Sequence, residues 1–150
     1  MSESNHPLHR WFEEVWNQGR ESAIDEQFAQ GCVAHGLGES DITVHGPDEF
    51  KQFWRNIRAA LPDVRIEVQD LVSDGHKAAA RVVLTGTHTG EGLGAPPSGN
   101  RVRIAGIVMV HIQNGQIVEG WNSWDQLGLL RQIGVVPTEK QVADRFLRRA

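Results

Sequence analysis

RVRIAGIVMVHIQNGQIVEGWNSWD, residues 101–125, is the stretch on which the fold reading turns. From Arg101 to Ile112 the even positions Val102, Ile104, Val108, Val110 and Ile112 are apolar, with Gly106 the one interruption. A period of two marks a strand with a buried face. Asn114-Gly115 is a hairpin turn signal and leads into a second strand over 117–124. The odd positions Ala105, Ile107 and Met109 make the first strand apolar on its other side too, so both faces are expected to be covered. One chain has helices for only one of them. A sheet-to-sheet homodimer is therefore expected.

Upstream of this hairpin the alternation continues. Val64, Ile66, Val68 and Val72 give a strand over 64–72, Asp70 being the exception in its apolar row. Ser73-Asp74-Gly75-His76 turns it into a strand over 77–88. The next stretch, GEGLGAPPSGN (90–100), is a Gly/Pro loop and can be neither helix nor central strand. Its glycines would allow it to act as a lid.

Before residue 62 the apolar period is 3.6. Leu8, Trp11, Phe12 and Val15 stripe a helix over 7–17 that Pro7 opens. A short helix follows Ser22, with Ile24 and Phe28 one turn apart and Gly31 at its end. Cys32–His35 is a brief extended piece. Pro47 opens the clearest helix, striped by Phe50, Phe53, Trp54, Ile57 and Leu61 and closed by Pro62. Asp48 and Glu49 sit in its favourable first turn. Past the hairpin, Leu127, Leu130 and Ile133 form a short helix. Thr138 with Gln141 is a capping box for a last helix over about 138–149. The order is α+β: a curved antiparallel sheet wrapped around N-terminal helices.

The 150 residues fit a single domain. Hydrophobic residues make up 39% and charged residues 23%, a globular composition. With 15 Lys+Arg against 19 Asp+Glu the net charge is −4, which argues against nucleic acid as a partner. No apolar run approaches the ~20 residues of a membrane span. Cys32 is the only cysteine, which rules out a disulfide within the chain and fits a reducing, cytoplasmic setting. Five Trp and no Tyr fit either core packing or a cavity for a flat ligand.

EVWNQG (14–19), His35, GPDEFKQFW (46–54) with LPD (61–63), GTHTGEGLGAPPSGN (86–100) and NGQIVEGWNSWDQLGLLRQIG (114–134) together resemble the SnoaL-like polyketide cyclases (ester cyclases) of the nuclear-transport-factor-2-like superfamily. The resemblance covers about 11–134. It implies a cone-shaped α+β barrel whose curved sheet leaves a deep apolar pocket. It further implies intramolecular aldol ring closure on a polycyclic or aromatic polyketide, an activity of lyase or isomerase type, with no cofactor and no metal. Its acid/base carboxylate matches Asp125, in W-x-x-x-D from Trp121, and its supporting histidine matches His111.

Asp125 heads the residues that fit this chemistry. An ordinary Asp, with pKa ≈ 3.9, is a weak base, and apolar walls such as Trp121, Trp124 and Leu127 would raise it. The alternatives for Asp125 are a cap on the helix that follows it or a pairing with Arg103. A two-residue Asn114-Gly115 turn pairs His111 with Val118 and Ile104 with Asp125, placing His111 and Asp125 on opposite faces. A three-residue loop over 113–115 pairs Arg103 with Asp125 and places His111 and Asp125 on one face. Asn-Gly favours the first, and a shared catalytic face needs the second or a bulge.

His88, beside the Gly-rich loop, is a candidate donor to a substrate carbonyl or a strand-end residue bonded to loop backbone. His35 ends a strand on the expected pocket side. Trp54, Trp121, Trp124 and Met109 complete the candidate pocket, with core packing the competing role for Trp54. An epoxide-hydrolase- or isomerase-like reaction in the same pocket is the alternative; the epoxide-hydrolase form needs a second carboxylate, for which Asp70 is the nearest by parity. A non-catalytic binder of a small apolar ligand is the other alternative.

Overall fold

A computed structural model describes residues 5–38, 42–137, 140–141 and 143. The expected first helix is present as α1 (Pro7–Arg10) running directly into a π-helical segment, Trp11–Asn17. His6 caps it, Nδ1 accepting from the Leu8 N–H at 3.1 Å. Leu8, Trp11, Phe12 and Val15 are buried, as their stripe requires.

α2 is shorter than expected, Glu21–Gln27. Phe28, read as its second turn, instead opens β1 (Phe28–His35). The reason is tertiary: the Phe28 ring stacks on Trp11 at 5.6 Å and meets Phe50 at 5.0 Å, while its backbone pairs with the sheet. β2 (Thr43–His45) leads into α3 (Gly46–Ala60), which buries Phe50 and Trp54. The Trp54 indole N–H donates to the Val15 carbonyl at 3.0 Å and locks α3 to the π-helical segment.

Four long strands follow: β3 (Arg65–Asp74), β4 (Lys77–Thr87), β5 (Arg101–Gln113) and β6 (Gln116–Trp124). Beyond the expected meander, β1 joins β6 in parallel and β2 extends the edge, giving the order β2-β1-β6-β5-β4-β3. The sheet is curved and does not close. α4 (Gln126–Gln132) packs on β5. The last helix expected over 138–149 falls almost entirely outside the described residues. No described helix is long and apolar enough to cross a membrane.

Two bulges set the faces. In β3 the pairing with β4 shifts between Val68 and Asp70. Leu71 then turns inward, while Val72 is 65% exposed, which resolves the apparent break in the apolar row at Asp70. In β6 the pairing shifts between Ile117 and Glu119. On β5 the even residues Val102, Ile104, Val108 and Val110 face the helices, and the odd residues face outward.

The Gly/Pro loop is tied down at both ends. The Gly90 N–H donates to the Ala60 carbonyl at 3.1 Å. A Cβ on Gly90 would fall 1.7 Å from the Ala59 carbonyl oxygen, so only glycine lets the loop approach α3 this closely. His88 is wholly buried within the loop. Its Nδ1 accepts from the Ser98 N–H at 3.2 Å, so the ring proton sits on Nε2, which donates to the Gly92 carbonyl at 3.1 Å. Both ring nitrogens are thereby committed to loop backbone. At the strand end, Asp63 of the LPD segment accepts from the Thr87 N–H at 2.7 Å and the Thr87 hydroxyl at 2.8 Å, and pairs with Arg101 at 3.2 Å.

His88→Ala strips partners from the Ser98 N–H and the Gly92 carbonyl and leaves a void. Urea unfolding should show a loss of about 2–4 kcal/mol. Asp63 is held below the ordinary carboxylate value: burial acts the other way, but the two Thr87 bonds and Arg101 outweigh it. A depressed folded-state pKa stabilises above the unfolded value of 3.8 and is lost as pH falls through the folded one. The urea midpoints of the wild type and Asp63→Asn should therefore differ at pH 7 and converge below pH 3.8.

Candidate active site

Between the inner face of the sheet and the helices lies a cavity. Its deep end is walled by Leu8, Trp11, Phe12, Phe28 and Phe50. Partly exposed Leu37, Gln126 and Leu129 lie at its solvent end. Its volume is ≈ 100 Å³. This is room for an apolar ring rather than for water alone. No described residue that lines it carries a titratable side chain, and, tryptophans aside, only Asn122 and Gln126 carry side-chain N or O.

The bulge in β6 is what brings Asn122 and Trp124 to this cavity. The two-residue turn pairs Gln113 with Gln116 and Ile112 with Ile117, as Asn114-Gly115 predicts. Past the bulge the register moves by one, so His111 pairs with Glu119, Met109 with Trp121 and Val108 with Asn122. Trp124 pairs with Gly106 and lies over it. A Cβ on Gly106 would meet the ring at 2.5 Å, so the gap in the apolar row of β5 is the space the indole fills. The Trp124 indole N–H donates to Asn122 Oδ1 at 3.4 Å, and Asn122 Nδ2 donates to the His35 carbonyl at 3.0 Å. Gln126 Nε2 donates to the Gly38 carbonyl.

The same bulge places His111 and Asp125 on one face, which is the outer one. Asp125 lies across from Ala105 rather than Arg103, its N–H donating to the Ala105 carbonyl at 3.1 Å. His111 pairs six residues further along β5, about 20 Å away at about 3.3 Å per residue. The two expected partners therefore do not meet. The Asp125 carboxylate caps α4, Oδ1 accepting from the Gly128 N–H at 2.9 Å. It borders an outer depression with Arg81, Ile107 and Ser123. Arg103 is held instead through its backbone, which the Gln132 amide brackets at 2.7 and 2.9 Å.

His111, Trp121, His35 and Met109 come together, but on the outer face. His35 stacks on Trp121 at 5.5 Å, His111 meets it edge-on at 4.9 Å, and His35 Nε2 donates to Glu119 at 2.8 Å. These four are therefore not pocket residues in this chain. Neither is His88, which the loop uses, nor Trp54, which faces the core with the Arg58 guanidinium 5.3 Å over its ring. Asp70 is exposed on β3, three strands from β6 in the sheet order, and does not line the cavity. Cys32 is buried, and burial pushes its thiol up to about 12, so it is no nucleophile.

Trp124 alone of the expected residues lines the cavity. Asn122 and Gln126 were not anticipated. The signal for them was available in retrospect: with one bulge, Asn122 and Trp124 fall in phase with the buried even positions of β5. Among the described residues no three of His, Cys, Asp and Glu converge as a metal would require.

Comparison with known proteins agrees with this architecture. The chain is 29% identical over 121 residues to nogalonic acid methyl ester cyclase of Streptomyces nogalater, covering 80% of this chain and 90% of that one. It is 26% identical over 122 residues to aklanonic acid methyl ester cyclase DnrD of Streptomyces peucetius, covering 81% and 84%. Among solved structures it is similar to IdmH of Streptomyces antibioticus, with TM-score 0.73 and 29% identity over 86% of this chain and 96% of that one. A SnoaL-like polyketide cyclase of Agrobacterium tumefaciens shares the fold at TM-score 0.68 and 20% identity, over 87% and 99%. A model of SnoaL-like polyketide cyclases matches residues 6–133, so the chain belongs to that family and is an enzyme of cyclase type.

Proposed function

We propose that this chain closes a ring on a flat polyketide ester by a cofactor-free intramolecular aldol condensation. One observation carries the reading: an aromatic-walled cavity whose polar side chains gather at the junction of β6 and α4, where Asp125 stands between the cavity residues Trp124 and Gln126. The apolar part of the substrate occupies the cavity. Its reacting end extends past the cavity mouth at the β6–α4 junction, because the Asp125 carboxylate stands on the outer side of that junction and not in the cavity lining. Asp125 takes the proton from carbon beside a carbonyl, the enolate carbon attacks a second carbonyl, and the new alkoxide takes that proton back from the Asp125 carboxylic acid. Asp125 Oδ1 is committed to Gly128, and Oδ2 has no hydrogen-bond partner among the described residues. Each of the Asn122 and Gln126 amides has a second N–H that can donate to a developing oxyanion.

The curated relatives named above are methyl ester cyclases, so methyl esters of aromatic polyketides are the first substrates to try. Asp125→Asn is the decisive variant, because Asn caps a helix as well as Asp does. The folded state should survive while turnover falls about 100-fold or more. Substrate affinity should be retained. Asp125→Ala should lose the same turnover and about 1 kcal/mol of stability as well. Undiminished turnover in Asp125→Asn would remove Asp125 from the chemistry.

We propose in addition that the outer sheet face pairs with a second copy of the chain. Ile107, Met109 and Trp121 stand 56%, 39% and 37% exposed side by side on β5 and β6, an apolar patch that a second copy would cover. Sedimentation at micromolar concentration should give twice the chain mass, and Ile107→Lys should give one.

A further inference from the structure

The cavity's polar end is defined more closely than its walls, because the partners of its two amides fix which way each amide points. The Gly38 and His35 carbonyls can only accept, so the nitrogens of Gln126 and Asn122 must face them. The Trp124 indole N–H can only donate, so Asn122 Oδ1 is engaged on its other side as well. Gln126 Oε1 is left as a side-chain acceptor without a hydrogen-bond partner among the described residues, on a residue that lines the cavity. It is tethered, since the bond to Gly38 holds the amide in one orientation. An oriented acceptor beside an apolar cavity discriminates by what it lacks: it has no use for a ligand that cannot donate to it.

We infer that Gln126 is a specificity-determining residue that selects flat apolar ligands bearing a hydroxyl donor, the ligand O–H donating to Gln126 Oε1 while its ring occupies the aromatic cavity. This rests on the reading of the cavity as the substrate site and deepens it. It requires a phenolic or enolic hydroxyl on the part of the substrate that reaches the rim. The same substrate with that hydroxyl methylated is then a poor ligand, although it is more apolar.

The test uses small fused rings in place of the substrate. Binding of 1-naphthol and 1-methoxynaphthalene to the full chain is measured by NMR titration. The wild type should prefer 1-naphthol by about tenfold, the worth of one good hydrogen bond. Gln126→Met keeps the length and removes the acceptor, so the preference should collapse to about one while 1-methoxynaphthalene binds as before. Gln126→Glu keeps an acceptor but cannot donate to the Gly38 carbonyl, and it should retain the preference. A preference lost in both variants would mean that the tether alone matters, and one kept in both would mean that Gln126 reads nothing; either overturns the assignment. If neither ring binds the wild type, the cavity reading itself fails, a result distinct from binding without preference.

Discussion

One extra residue in β6 decides which side chains of this chain line the cavity. The Asn114-Gly115 turn sets the first pairs of the hairpin by its own backbone geometry. Left uncorrected, that register would put Trp121 and Ser123 on the inner face and Asn122 and Trp124 on the outer one. The bulge between Ile117 and Glu119 reverses this. Trp124 can then lie over Gly106, Asn122 can bond the His35 carbonyl, and Asp125 can meet Ala105 and start α4. Each of these contacts needs the shifted register, so cavity, rim and helix cap depend on one local irregularity.

The consequence is a separation of chemistry between the two faces of the sheet. The inner face carries the cavity and no titratable lining among the described residues. The outer face carries His35, His111, Glu119 and Asp125. Burial explains the arrangement, since an ionised group without a partner is expensive in an apolar interior, whereas an amide can be satisfied by backbone carbonyls. One N–H of Asn122 and one of Gln126 are satisfied in that way. They bring hydrogen-bonding capacity to the cavity without bringing charge. The titratable groups named stand outside the cavity.

The Gly/Pro loop illustrates the same economy. Its composition permits motion, but His88 is spent inside it, and Gly90 lets it press against the end of α3. Asp63 and Arg101 fasten the adjoining strand ends. A histidine that looked available for catalysis holds together the segment that looked mobile.

Much of the molecule was legible before any coordinates. The helix stripes over 7–17 and 46–60, the four long strands and their turns follow from short-range periodicity, because a helix or strand with one apolar face has few ways to bury it. Family membership was legible too, from five dispersed segments in order. Asp125 as a helix cap was open as an alternative, because capping is also local. The site was not legible residue by residue. Phe28 entered a strand because Trp11 and Phe50 hold its ring, and β1 found β6 across more than eighty residues. Above all, parity along a strand is exact only until a bulge interrupts it; the bulge at Gln69 shows in the sequence only as the break at Asp70, and the one at Val118 leaves no turn residue to mark it. Sequence alone determined which residues are apolar and how often they recur. Tertiary structure decided which face Asp125, His111, Asn122 and Trp124 occupy, because a shift of one residue moves every later side chain to the other side of the sheet.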